Sequence, residues 1–266
     1  MPVRPPRARR PVPRRHLRLV RADTAGATAP DARPTVHLVV PPRPPEELLR
    51  LALAGADAMV IDLVGPEQGA SPDVAAARAG ARALLRSGRR GRRPEVWLRV
   101  PPAGTDACAE TLALSAGLGV GLVVADARTV DDVEWVAARA PRAALMPVVE
   151  SSAGLASSTS IARHPSVHRL ALSPLAQPPA ATGPVLSPAE ARQWQLAIVA
   201  LAAEAAGLPG PVDAPYGLHG RPAPGSGVDA RVQDAATARA AGFTGHCVSD
   251  PDHVRAVRAL LETREP

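Results

Sequence analysis

The stretch Pro45–Leu63, PEELLRLALAGADAMVIDL, contains the unit from which the rest of the fold can be deduced. Its first part, through Ala54, has the Leu and Ala content of a helix, and it ends at Gly55, a residue that commonly terminates helices. A short apolar run of strand type follows at Ala58–Leu63. A helix followed at once by a buried strand is typical of parallel βα architectures, so the stretch predicts an α/β fold.

The same alternation continues on both sides of this unit. Further strands are predicted at Val36–Val40, Val96–Val100, Val120–Val124, Ala144–Val149, Val167–Leu172, Pro211–Asp213 and Gly245–Val248. Helices are predicted at about Asp106–Ser115, Ala153–Arg163, Pro188–Ala206 and Pro251–Glu262, with one that starts at a Ser71 N-cap, one opened by Asp131-Asp132 and one that ends at Ala241. Eight such units close a parallel sheet, so we predict a single (β/α)8 TIM barrel over residues 34–266. An open doubly wound sheet is the alternative, but Pro41–Pro45 lacks the Gly-rich phosphate turn of that fold.

The first part of the chain differs in composition from the rest. The formal net charge is +6, yet the first 22 residues contain eight arginines and no acidic residue, so the remainder carries −2. Residues 1–33 are rich in Pro, Arg and Ala without apolar periodicity, which predicts a disordered basic leader. The barrel region therefore offers no basic surface, and its few aromatic residues leave little for bases to stack on. Composition argues against a nucleic-acid partner.

Residue types that are missing exclude several kinds of chemistry. The chain has no lysine, which excludes Schiff-base aldolases, pyridoxal-phosphate enzymes and phosphate-loop nucleotide sites. The two cysteines, Cys108 and Cys247, lack metal-ligand spacing and are expected to be buried apolar residues of a protein in the reducing cytoplasm. No run of about 18 apolar residues and no signal-peptide pattern occurs, so we expect a cytoplasmic protein without a membrane partner.

The functional side chains of a β/α barrel follow the carboxyl ends of its strands. Polar residues predicted there are Arg43, Asp62, Arg99, Asp126, Glu150, Ser173, Asp213 and Asp250. Glu150 follows a wholly apolar strand and is interpreted either as a ligand of a hard cation such as Mg²⁺ or as an N-cap-like acid near the start of the next helix. Arg99 suits bidentate binding of a substrate carboxylate, and the alternative is an ion pair with Asp62 or Glu150. Asp62 is interpreted as a residue that orients Arg99 or serves a metal-bound water, and the alternative is a purely structural partner of an arginine.

Five segments in a fixed order carry a resemblance to a known family. They are Ala54–Leu63, Leu98–Thr105, Met146–Leu155, Ala205–Tyr216 and Ala241–Pro251. Over about residues 35–262 the chain resembles the citrate lyase β-subunit-like (CitE-like) family, which is related to the HpcH/HpaI aldolases. The resemblance implies a TIM barrel that cleaves or forms carbon–carbon bonds in an acyl-CoA or 2-oxo acid substrate through an enolate. Homo-oligomers are expected on the same ground.

The resemblance also implies roles for particular residues. Glu150 would bind Mg²⁺, Arg99 would bind the substrate carboxylate or the enolate oxygen, and Asp62 would belong to the catalytic site. The second metal carboxylate of the family is missing, because the segment after the sixth strand reads Ser173-Pro174-Leu175-Ala176-Gln177. Asp126 could supply another ligand.

Other departures from the family pattern concern its acidic and lysine positions. Val64-Gly65 replaces an acidic pair after the second strand and leaves Glu67 as a displaced stand-in. The two lysine positions are occupied by Asp126 and His246. Two hypotheses therefore stay open: a Mg²⁺-dependent lyase, and a degenerate barrel that binds an acyl-CoA or a protein partner without turnover. A third interpretation makes the leader a tether to nucleic acid or a membrane surface.

Overall fold

The described residues form a closed barrel of parallel strands inside a ring of helices. A computed structural model describes residues 34–64, 73–87, 94–175, 186–214 and 228–262. The strands are β1 (Thr35–Val40), β2 (Ala58–Asp62), β3 (Glu95–Val100), β4 (Gly121–Val124), β5 (Leu145–Val149), β6 (Ala171–Leu172), β7 (Val212–Asp213) and β8 (Gly245–Val248). The helices are α1 (Pro45–Leu51), α2 (Val74–Arg86), α3 (Asp106–Ser115), α4 (Val130–Arg139), α5 (Ser152–Ala162), α6 (Pro188–Ala205), α7 (Val228–Ala240) and α8 (Pro251–Glu262). A 3-10 turn, Ala52–Ala54, follows α1.

The strands pair in chain order, and the barrel closes because β1 pairs with both β2 and β8. Every one of these pairings is parallel. Since a helix follows each strand and returns the chain to the opposite end of the barrel, the carboxyl ends of all strands meet at one rim. The predicted (β/α)8 TIM barrel is confirmed.

Alternation along the strands divides the apolar residues into two clusters. In β3, Val96, Leu98 and Val100 belong to a large cluster that includes buried residues of the helices. Trp97 belongs to a smaller cluster made mainly of strand residues, which therefore fills the barrel interior. Arg99 lies two residues after Trp97 in the same strand, so its side chain also points into the interior, close to the rim.

The predicted sixth strand is too long. Val167–Leu172 was expected from its apolar content, but only Ala171–Leu172 forms ladder pairs, and Val167 makes an isolated bridge to Leu145. His168, which the pattern placed in the strand, is exposed. Arg169, one of the residues between Val167 and Ala171, directs its side chain to Thr35 and to residues that precede β7 and β8.

The predicted start of α2 is also wrong. Asp73, not Ser71, is the N-cap: its carboxylate accepts a hydrogen bond of 2.8 Å from the backbone N–H of Ala76. Ser71 lies outside the described residues, as does the predicted leader, residues 1–33. The other predicted elements are confirmed, and Asp106–Ser115, Gly245–Val248 and Pro251–Glu262 have the predicted bounds.

One arginine links the amino ends of several strands. Arg169 precedes β6, and its Nε donates to the carbonyl of Gly210, before β7, at 2.9 Å. Its Nη1 donates to Thr35 Oγ1, in β1, at 2.7 Å, and its Nη2 to Thr244 Oγ1, before β8, at 2.6 Å. Because β6 and β7 contain only two residues each, few ladder bonds hold this side of the barrel. Arg169 supplements them.

Candidate active site

The candidate active site begins with two neighbouring strands in register. Asp62, the last residue of β2, lies directly opposite Arg99 of β3. In a parallel sheet, opposed residues point to the same face, so both side chains enter the barrel interior at the rim. Glu150 follows β5 and reaches the same place from the other side of β4. The sequence could name these residues but could not fix this register.

Arg99 is held between two carboxylates. Its Nη1 donates to Asp62 Oδ1 at 3.1 Å and to Asp62 Oδ2 at 3.3 Å, and its Nη2 donates to Glu150 Oε1 at 3.2 Å. The Arg99 side chain is 0% exposed, against 9% for Asp62 and 16% for Glu150. A buried guanidinium needs such partners, because an unpaired charge at this depth would be strongly destabilising. The ion pair expected with Asp62 or Glu150 forms with both.

Glu150 does not cap the helix that follows it. Ser151 is the N-cap of α5, and its hydroxyl accepts a hydrogen bond of 3.2 Å from the N–H of Gly154. The interpretation of Glu150 as a capping acid is therefore wrong. With Ser151 in that role, the Glu150 side chain turns inward to Arg99. Among the described residues its second oxygen, Oε2, has no hydrogen-bond partner.

Asp126 follows β4 and has an unusual backbone. Its φ is +43°, a left-handed conformation that residues other than glycine adopt at a cost. One carboxylate oxygen, Oδ2, accepts a hydrogen bond of 2.8 Å from Arg128 Nε and forms an ion pair with Arg128 Nη2 at 2.6 Å. The other, Oδ1, is buried and has no hydrogen-bond partner among the described residues. Arg128, which sequence reasoning missed, thus neutralises Asp126 while leaving one of its oxygens available.

Other residues predicted at the strand ends are used elsewhere. Arg43 forms an exposed ion pair with Glu47 one turn along α1. Asp250 accepts a hydrogen bond of 2.9 Å from the N–H of Asp252 at the start of α8. Ser173 is buried, and its N–H donates to the carbonyl of Val149 at 3.0 Å. None of these contacts reaches Arg99.

Asp213 belongs to a second buried polar group, between the barrel and its helices. It pairs with Arg192 of α6, and its Oδ2 lies 3.5 Å from His246 Nδ1 on the neighbouring strand. Burial raises the pKa of Asp213 to about 7, against the opposing effect of Arg192. Burial lowers the pKa of His246 to about 3, so this histidine stays neutral. No pattern in the sequence indicates that Asp213 faces α6 and not the interior.

The remaining candidates add no ligand to the site. Both cysteines are buried free thiols, as expected. His37 is buried and pairs with Thr35 Oγ1 at 3.0 Å, so it is a core residue. Glu67, the proposed stand-in, lies outside the described residues. Within the described ranges no group of three or more His, Cys, Asp or Glu side chains is close enough together to hold a metal ion.

Features outside the site bear on the other expectations. Across the described part of the chain, every helix is too short or too polar to span a bilayer. The cytoplasmic location and the homo-oligomer stay predictions, as does the exclusion of nucleic acid as a partner.

Comparison with solved structures finds the same barrel in several proteins. RipC from Yersinia pestis matches with a TM-score of 0.64 at 21% identity, over 87% of this chain and 96% of that one. A citrate lyase β subunit from M. tuberculosis, complexed with oxaloacetate and magnesium, matches with a TM-score of 0.65 at 21% identity, over 87% and 98%. CitE from Mycobacterium tuberculosis with magnesium, acetoacetate and coenzyme A matches with 0.64 at 21% identity, over 88% and 82%. No protein-family model matches the sequence, and no curated protein does.

The chain therefore has the (β/α)8 barrel that these solved structures share, with a polar site at the carboxyl ends of its strands. The resemblance to the citrate lyase β subunit is confirmed at the level of the fold. At 21% identity the fold carries no activity with it, because one barrel supports many chemistries. Any activity depends on the side chains of the site.

Proposed function

We propose that this chain is a Mg²⁺-dependent carbon–carbon lyase that acts on an acyl-CoA or a 2-oxo acid through an enolate. The observation that carries the proposal is the position of Arg99 between Asp62 and Glu150 at the rim of the barrel. Two solved structures of the same fold support it, since one is described with oxaloacetate and magnesium and another with magnesium, acetoacetate and coenzyme A.

The donor atoms at the rim fit a magnesium ion. Mg²⁺ prefers oxygen ligands, commonly binds through one or two carboxylates, and takes its remaining ligands from water and substrate. Glu150 Oε2 and Asp126 Oδ1 are carboxylate oxygens that lack partners among the described residues. They follow the neighbouring strands β5 and β4. Glu150 and Asp126 would therefore hold the ion, and Ser173, at the place of the missing carboxylate, would not.

The reaction requires an electron pair to leave the breaking carbon–carbon bond and to reside on an enolate oxygen. Bound Mg²⁺ would supply positive charge that stabilises this oxygen and orients the substrate. Arg99 supplies a second positive charge, directed at the substrate carboxylate or at the enolate oxygen. Asp62 is the positioning residue, because its carboxylate holds the guanidinium in one orientation. The chain has no lysine, so no Schiff base can share this work.

The alternative is a degenerate barrel that binds an acyl-CoA or a protein partner without turnover. The complete burial of Arg99 favours it, because a guanidinium paired with two carboxylates can also serve stability alone. The two functions differ in whether the carboxylates bind a divalent cation.

Calorimetric titration with Mg²⁺ and Mn²⁺ separates them. We expect Glu150→Gln and Asp126→Asn each to weaken cation binding at least tenfold. Glu110→Gln, on the exposed surface of α3, is the matched control and should bind as the wild type does. If the wild type and Glu150→Gln give the same binding heats, Glu150 is not a ligand and the lyase proposal loses its metal site.

A further inference from the structure

The two carboxylates hold Arg99 unequally. Among the described residues Asp62 makes three hydrogen bonds, since its Oδ1 also accepts the N–H of Val64 at 2.9 Å in addition to the two contacts from Arg99. Within the same described part of the chain, Glu150 makes one hydrogen bond to Arg99, at 3.2 Å, and its side chain is the more exposed of the two, at 16% against 9%. Asp62 is therefore the fixed partner, and Glu150 is the partner that can move.

The charge of this group opposes an anionic substrate. Asp62, Arg99 and Glu150 together carry −1, and the pair of Asp126 and Arg128 adds nothing to that sum. A carboxylate approaching Arg99 would meet a guanidinium that is 0% exposed and whose Nη2 already donates to Glu150. A divalent cation on Glu150 would change the charge of the three side chains and the ion to +1 and would compete with Arg99 for the same carboxylate.

We propose that Glu150 is an exchangeable counterion: without a cation it occupies the Nη2 side of Arg99 that an anionic substrate needs, and cation binding draws it away. This inference rests on the proposed function, because it assigns the cation to Glu150. It makes binding ordered, with the divalent cation first and the oxo acid or acyl-CoA carboxylate second. By linkage, each ligand then tightens the other by the same factor.

The test measures binding of pyruvate in the absence of any divalent cation, with EDTA present, by calorimetry. We expect Glu150→Gln to bind pyruvate at least tenfold more tightly than the wild type, because the competing charge is gone while the side-chain shape is kept. Asp250→Asn is the matched control, since it removes one negative charge at the carboxyl end of β8 without touching Arg99. We expect it to change metal-free affinity less than threefold.

Two results would overturn the inference. One is equal metal-free affinity in the wild type and Glu150→Gln. The other is equal tightening by Asp250→Asn, which would show that only net charge matters. If Glu150→Gln does not fold, as judged by circular dichroism, Glu150→Ala replaces it with the same expectation. A wild type that binds no Mg²⁺ would instead refute the proposed function. The comparison of pyruvate affinities is made without metal, so the two failures can be told apart.

Discussion

Replacing Arg169 by methionine should destabilise the barrel more than any comparable surface change. The substitution keeps the length of the side chain and removes three hydrogen bonds that reach β1 and the residues before β7 and β8. These bonds act on the side of the barrel where β6 and β7 contribute only two residues each. Loss of Arg169 therefore removes the contacts of one side chain and also weakens the closure of the sheet.

The magnitude follows from the contacts. A hydrogen bond with a charged partner contributes about 1.5–3 kcal/mol net. Burial opposes this gain, since it lowers the pKa of Arg169 to about 10. The hydroxyls also keep other partners: Thr35 Oγ1 pairs with His37 Nε2 at 3.0 Å, and Thr244 Oγ1 donates to the Gly210 carbonyl at 2.9 Å. We expect Arg169→Met to lower the free energy of unfolding by about 2–4 kcal/mol.

Urea unfolding followed by circular dichroism measures this change, and the dependence on urea should stay constant if only stability has changed. Arg163→Met, at the exposed end of α5, is the matched control and should lie within about 0.5 kcal/mol of the wild type. Arg169→Lys keeps the charge but not the three-way fork, so it should fall between the two. An Arg169→Met protein as stable as Arg163→Met would refute the assignment of Arg169 as a closing link.

Three further predictions concern pH and packing. Burial raises the pKa of Asp213 from 3.8 to about 7, so its ionisation costs stability as the pH rises through that range. The stability of Asp213→Asn relative to the wild type should therefore grow by about 2 kcal/mol between pH 5 and 7. Urea midpoints of the two proteins that change equally with pH would contradict this prediction. Burial lowers the pKa of His37 from 6.5 to about 3, so the protein loses stability as the pH falls below 6.5. In the same assay, His37→Gln should reduce the loss of unfolding free energy between pH 6.5 and 5 by about 2 kcal/mol. A methyl group on Gly121 would lie 2.3 Å from the Trp97 ring, so Gly121→Ala should cost about 1–3 kcal/mol and shift the Trp97 fluorescence, and an unchanged spectrum at full stability would count against this packing.

Much of the fold could be predicted because one pattern repeats along the chain. Apolar β-branched runs such as Ala58–Leu63 and helix ends such as Gly55 recur, and their number requires closure. The sixth strand could not be bounded, because Val167–Leu172 has strand-like composition throughout, while only Ala171–Leu172 forms ladder pairs with the neighbouring strands. Short strands depend on their neighbours more than on their own residues.

The site could be predicted as a set of residue types and not as a geometry. Position after an apolar strand was enough to select Asp62, Arg99 and Glu150. That both acids contact one guanidinium follows from strand register, which the sequence does not display. Asp213 was placed on the same rim for the same reason, yet its partner Arg192 lies on a helix that is distant in sequence. A strand only two residues long has no alternation from which its inward face could be read.

Exchange of methyl protons with deuterated water tests the central claim most directly. An enolate-forming site must exchange the methyl protons of pyruvate or of acetyl-CoA, whichever it accepts, and NMR detects this without knowledge of the full substrate. We predict exchange by the wild type that requires Mg²⁺, with a loss of at least a hundredfold in Glu150→Gln and in Arg99→Met and none in Glu110→Gln. Absence of exchange of either compound by the wild type with Mg²⁺ bound, or exchange that survives Arg99→Met, would contradict the account.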